Sequence, residues 1–171
     1  MRMKVLLCLL LACAESWSVL GQGSVQVAGA RIFEAGIYEA RVLAAKTNAS
    51  GVQLQTLDNF RLVQSTTNVP ARIGIRFGFR YELFGSPSNA PVTLTLAGAH
   101  PPMTNATGKV ETVFAYAFNS WIGTGFFSNT LDQPADLTPG IWTFELWYQG
   151  RRLCEQLFLV TPEKGGTTGN K

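Results

Sequence analysis

RIGIRFGFRYEL, residues 72–83, alternates with a period of two. Ile73, Ile75, Phe77, Phe79, Tyr81 and Leu83 fall on one side, and Arg72, Gly74, Arg76, Gly78, Arg80 and Glu82 on the other. That period belongs to an extended chain with one oily face and one wet face. The six apolar side chains call for a dry surface to pack against, and the rest of the chain supplies it in the same currency.

On the N-terminal side, ARIFEAGIYEARVL (30–43) carries β-formers, with Gly36 marking a bulge or a close backbone approach. AAKTNASGVQL (44–54) has the Asn and Gly punctuation of a surface loop, and NFRLVQSTTNVP (59–70) reads as one strand closing at Pro70. On the C-terminal side, FGSPSNAP breaks the chain before VTLTL (92–96). AGAHPPMTNATG (97–108) reads as a long loop stiffened by Pro101 and Pro102. In KVETVFAYAFNSW, alternation resumes with Val110, Thr112, Phe114, Tyr116 and Phe118 on one face, and IGTGFFSNTL predicts a further strand. The clearest block is LTPGIWTFELWYQGRRLCEQLFLV (137–160). It predicts a turn at Pro139-Gly140, a strand from Ile141 to Tyr148, a tight turn around Gln149-Gly150, and a returning strand to Val160. Trp142, Phe144 and Leu146 alternate in step and belong to the core, which leaves Trp121, Trp147 and Tyr148 as aromatic candidates for surface contact.

About eight short strands with one apolar face each must bury those faces against one another. The fold class is therefore all-β, an immunoglobulin-like antiparallel β-sandwich, with a small closed β-barrel as the alternative. The cysteine pair of true immunoglobulin domains is missing, so the assignment rests on patterning alone. No repeat of 20 to 50 residues suggests a solenoid or propeller.

Hydrophobic residues make up 46% of the 171 and charged residues 15%, which fits one ordered globular domain. The opening MRMKVLLCLLLACA joins a basic start (Arg2, Lys4) to an apolar run too short to cross a bilayer, the pattern of an export signal. Cleavage after Gly21 gives a leader of normal length. The expected organisation is thus a signal peptide at 1–21, a single β-sandwich domain at 22–160 and an unstructured polar tail at 161–171. The expected location is periplasmic or secreted, with a lipid anchor through Cys13 as the alternative. No transmembrane segment remains once the leader is gone.

Loss of Arg2, Lys4 and Glu15 takes the net charge from +3 to +2, too small a balance to imply a nucleic-acid partner. Cys8 and Cys13 leave with the leader, and Cys154 alone can form no intrachain disulfide and no multi-cysteine metal site. Neither a cofactor nor a metal is expected.

Arg72, Arg76 and Arg80 recur every four residues, and arginine is the side chain best shaped to grip carboxylate or phosphate. They form a candidate site for an anionic glycan or peptide, with Trp147 as an aromatic contact. In the alternative reading, Glu145, Glu82 or Glu111 neutralises them across the sheet, each pair contributing only a fraction of a kcal/mol, roughly 0.2–1. Gly74 and Gly78 weaken the strand and call for an aromatic cover, for which Trp147 is a candidate. His100, the single histidine, sits in a loop beside two prolines with no nucleophile-elbow pattern, so a hydrolase built on it is the remote alternative. Cys154 reads as a small hydrophobe beside Phe158 and Val160, or, if exposed, as a thiol able to pair between chains. Asn48 and Asn105 head Asn-x-Ser/Thr sequons, which matter only in a eukaryotic secretory pathway.

Taken together, VPARIGIRFGFRYEL, PVTLTLAGAHPPMTNATGK and the final hairpin block resemble a bacterial exported family known as domain of unknown function number thirty-eight fifty-nine. The resemblance covers about residues 30 to 160. It implies an envelope or secreted bacterial protein with a sandwich fold, and it brings no activity. Cys154 departs from the small apolar residue expected there. The reading that follows is an exported, non-enzymatic β-sandwich acting through its surface on an unknown protein or envelope component.

Overall fold

The computed structural model describes residues 24–47, 53–104 and 108–163. The leader with Cys8 and Cys13, both sequon asparagines and most of the C-terminal tail lie outside the described residues. Nine strands make up the described part: β1 (Gln26–Thr47), β2 (Gln53–Ser65), β3 (Asn68–Pro70), β4 (Arg76–Ser86), β5 (Pro91–Thr104), β6 (Val110–Trp121), β7 (Gly123–Thr130), β8 (Gly140–Tyr148) and β9 (Arg151–Thr161). A single 3-10 turn, Pro134–Leu137, separates β7 from β8. The strands form a four-stranded sheet in the order β2-β1-β4-β7 and a five-stranded sheet in the order β3-β9-β8-β5-β6. All pairings are antiparallel except that of β3 with β9. The two sheets are separate, so the sandwich stands and the closed barrel does not.

From Phe77 onward the core is built by the predicted alternation, whereas Ile73, expected on the same face, precedes β4 and is 50% exposed. Phe77, Phe79, Tyr81 and Leu83 of β4 face Leu94 and Leu96 of β5, Phe144 and Leu146 of β8, and Phe158 and Val160 of β9, all buried. Phe77 lies among three rings, 5.1–5.9 Å from those of Trp142, Phe144 and Phe158 in edge-on geometry. The final hairpin turns at Gln149 and Gly150, both with positive φ (47° and 78°), as a two-residue turn matched to strand twist requires.

Besides the approach to β4, three segments differ from the sequence reading. Residues 44–47 continue β1 rather than starting a loop. Residues 59–70 are not one strand: β2 ends at Ser65, and β3 crosses to the other sheet to pair with β9. AGAHPPMT is not a loop, because β5 runs on to Thr104. Its pairing with β6 slips between Ala99 and Met103, where Pro101 and Pro102 have no N–H to offer the ladder. Gly36 does mark a close approach: a Cβ there would lie 2.0 Å from the Gln64 carbonyl oxygen.

The candidate cleft

The row of three arginines does not exist as one face. β4 begins at Arg76; Arg72 precedes it, in a turn where Gly74 takes φ +86°, and its guanidinium lies 3.6 Å from Glu163. Positive φ at Gly74 breaks the extended chain that the alternation implied. Only Arg76 and Arg80 share the strand.

Their face is also not the flat wet surface expected. Phe60 on β2 and Phe126 on β7 lie at opposite edges of the four-stranded sheet, yet their rings stack at 4.3 Å. Edges of a flat four-stranded sheet would be about 14 Å apart, so this one curls and its far side is concave. Tyr38, only 2% exposed, stacks on the other side of Phe60 at 4.3 Å. Arg80 is locked into this second aromatic layer. Its Nη2 donates to the Phe60 carbonyl at 2.7 Å, its Nε lies 3.2 Å from Glu34, and its guanidinium sits over the Phe60 ring. Glu34 also accepts from the Tyr38 hydroxyl. Burial, helped by Glu34, raises the Tyr38 phenol well above its ordinary value.

Glu145 and Trp147 stand elsewhere, on the outer face of the five-stranded sheet. Trp147 Nε1 donates to Glu145 at 2.8 Å, and Arg152 donates to the same carboxylate at 2.7 Å. The Arg152 bond, ahead of the one from Trp147, holds the Glu145 carboxyl below its usual range. Trp147 therefore neither joins the arginines nor covers Gly78. The reason for Gly78 is backbone proximity: a Cβ would fall 2.0 Å from the Phe127 carbonyl oxygen of β7. The expected neutralisers are spoken for as well, with Glu82 on Arg31 and Glu111 on Lys109.

Arg76 opens onto a cleft of about 490 Å³ between β2, β7, β6 and the 3-10 turn. Its Nη1 donates to Ser128 Oγ at 3.1 Å and its Nη2 to Gln55 at 2.8 Å. Tyr116, Phe118, Phe126 and Phe127 supply apolar wall, and Asn129, Asp132, Gln133 and Asp136 supply polar wall. Asp136 caps the turn, one carboxylate oxygen accepting from the N–H groups of Asp132 and Gln133 at 2.9 Å each. Burial pushes the Asp132 carboxyl up, Asp136 adds to the push, and Arg76 opposes it.

A second recess of about 260 Å³ continues from the same wall and is lined by His100, Met103, Phe114, Trp142 and Phe144. It shares Tyr116, Phe127, Ser128, Asn129 and Asp136 with the larger cleft. His100 lies against Phe114 and Trp142, with ring centroids 6.0 and 5.3 Å away. Its Nδ1 donates to the Pro101 carbonyl at 2.8 Å, which leaves Nε2 as the acceptor of the neutral ring. Trp142 Nε1 is buried without an acceptor among the described residues.

His100, Ser128 and Asp136 thus border one recess, the grouping a hydrolase would need. Their bonds run elsewhere: Ser128 accepts from Arg76, Asp136 caps the 3-10 turn, and His100 holds Pro101. Among the described residues no cluster of three or more His, Cys, Asp or Glu is placed to hold a metal ion, and no helix is long and apolar enough to cross a membrane.

The profile of the family described as Domain of unknown function (DUF3859) matches residues 26–160. The chain belongs to the DUF3859 family. An immunoglobulin-like protein from Pseudomonas aeruginosa is similar in structure, with a TM-score of 0.57 at 26% identity over 82% of this chain and 99% of that one. An alkylpurine DNA glycosylase from Pseudomonas fluorescens, bound to DNA with an abasic-site analogue, aligns with a TM-score of 0.35 at 15% identity, over 74% of this chain and 30% of its own. That second likeness is too slight to carry an argument. No curated protein matches the chain.

In this DUF3859 domain Cys154 faces the core opposite Leu146, and burial pushes its thiol up to about 11. The cleft residues beyond Arg76 were missed in the sequence. The run DQPAD (132–136) carried the available signal: a proline at the start of a helical turn with an acid two residues on. Nothing in it said which strands it would lie against.

Proposed function

We propose that the mature DUF3859 domain is an exported, non-enzymatic recognition module of the bacterial envelope or its surroundings, and that its ligand is held in the Arg76 cleft. The observation that carries this reading is convergence. Aromatic rings from β6 and β7, a fixed guanidinium and the polar 3-10 turn border one concavity of about 490 Å³, a size and mixture suited to a ligand with both apolar faces and hydrogen-bonding groups. The non-catalytic part is supported by the bonding of His100, Ser128 and Asp136, none of which is joined as nucleophile to base. Export is supported by the N-terminal leader pattern. An anionic ligand is disfavoured because Arg72 and Arg80 are paired elsewhere and Arg76 shares the cleft with Asp132 and Asp136.

Cosedimentation of the purified mature domain with isolated bacterial envelopes tests the reading. Saturable binding is expected. It should be lost in Asn129→Trp, which fills the cleft, and kept in Trp147→Phe on the opposite sheet. Equal binding by the two variants, or none by the wild type, overturns the proposal. N-terminal sequencing of the exported protein should begin at Gln22.

A further inference from the structure

The recess beside the cleft sets two complementary hydrogen-bonding groups, on Trp142 and His100, against the rings of Phe114 and Phe144, with Ser128, Asn129 and Asp136 on the wall it shares with the cleft. Trp142 is 4% exposed, and its indole N–H is a buried donor with no acceptor among the described residues. A buried donor left unpaired is destabilising, so an acceptor brought to it is bound with advantage. His100, its ring 5.3 Å from that of Trp142, presents the opposite character, because the bond from Nδ1 to Pro101 makes Nε2 an acceptor. One donor and one acceptor side by side match an amide, whose carbonyl takes the indole hydrogen and whose N–H goes to the imidazole. Phe114, Phe144 and Met103 then offer an apolar lining for a small methyl group.

The larger cleft shares Tyr116, Ser128, Asn129 and Asp136 with this recess and adds Arg76, Phe118, Phe126, Asp132 and Gln133. Tyr116, Phe118 and Phe126 present aromatic surface, and Asn129, Asp132 and Gln133 present hydrogen-bonding groups that suit hydroxyls. One arginine against two aspartates leaves no positive excess to attract an anion.

We infer that the two compartments together bind a neutral N-acetylated glycan, the acetamido group in the Trp142–His100 recess and the sugar ring in the Arg76 cleft. The inference rests on the recognition reading above and names its ligand class. A peptide amide offers the same donor and acceptor, but it would bring no array of hydroxyls to the polar wall of the cleft.

The test is a titration of the ¹⁵N-labelled mature domain with N,N′-diacetylchitobiose, with cellobiose and N-acetylglycine methylamide in parallel. Diacetylchitobiose is expected to displace the Trp142 indole cross-peak together with the Ser128 and Asn129 amides, and to bind about tenfold more tightly than cellobiose. Trp142→Phe, which keeps the ring and removes the donor, should erase most of that difference while the circular dichroism spectrum stays unchanged. Should that variant fail to fold, the indole displacement in the wild type decides alone. A stationary indole cross-peak overturns the inference. Equal affinity for cellobiose also overturns it, yet leaves the cleft reading in place if Ser128 and Asn129 respond. Tighter binding of the methylamide overturns the glycan class, while failure of envelope cosedimentation overturns the underlying reading itself.

Discussion

Arg80 holds Phe60 twice, donating to its carbonyl at 2.7 Å and laying its guanidinium over the ring with 5.6 Å to the centroid. This places a charged side chain at the centre of the curl in the four-stranded sheet, between β4 and the far-edge strand β2. One of the three arginines that the sequence offers for a ligand is thus a structural clasp.

Removing the clasp should therefore matter more than removing a surface arginine. A charge-assisted bond to a half-buried carbonyl contributes roughly 1.5–3 kcal/mol, so Arg80→Ala is expected to lower unfolding free energy by about 2 kcal/mol. Arg31→Ala, whose pair with Glu82 is exposed, should change stability by less than about 0.5 kcal/mol. Urea denaturation of both variants measures the contrast; equal losses would contradict the structural role of Arg80.

Phe77 is fully buried and meets three other rings. Phe77→Ala should cost about 3–5 kcal/mol, enough to leave a domain of this size barely folded. Phe84→Ala, at a ring 40% exposed on the same strand, should cost far less. Thermal and urea melts of the pair test whether the core lies where the alternation of β4 puts it.

Gly78 and Gly29 separate two reasons for a strand glycine. At Gly78 a Cβ would collide with the Phe127 backbone at 2.0 Å, and at Gly29 it would meet nothing within 4 Å. Gly78→Ala must push β7 away from β4, and a large loss of stability or failure to fold is expected. Gly29→Ala should be neutral or slightly stabilising, up to about 1 kcal/mol. A well-folded Gly78→Ala variant would refute the close approach.

Cys154 should be silent toward thiol reagents in the native protein. With its thiol pushed up to about 11 by burial, almost none is ionised at pH 8, and labelling should be slow until urea exposes it. The same shift carries a sign for stability. A folded value above the unfolded one near 8.5 favours folding at lower pH, and that contribution is lost as pH rises toward about 11. Tyr116, raised to about 12 by burial, acts in the same direction at still higher pH. Cys154→Ala should flatten the decline between about pH 9 and 11; an unchanged slope would show that the thiol contributes nothing to it.

The alternating residues of β4 and of the β8–β9 hairpin announced both extended structure and core membership, since a period of two assigns every second side chain to one face whatever lies opposite. Those local patterns determined the class of fold, the place of Phe77, Phe79, Trp142 and Phe144, and the turn at Gln149-Gly150. Pairing partners are non-local, so the break of the chain into β2 and β3 and the run of β5 through two prolines were not written in any one segment.

What only the tertiary structure decided was the meaning of the other face. Arg76, Arg80, Tyr38, Phe60 and Phe126 come from four strands scattered along the chain, and nothing in their spacing reports that a sheet will curl until rings on its two edge strands meet. That curl turns an apparently wet surface into a half-buried aromatic layer and leaves Arg76 at the lip of a cleft. The turn carrying Asp132 and Asp136, and the recess of His100 and Trp142, reach the same end of the sandwich through sheet packing, a property of the assembled layers rather than of the residues in order.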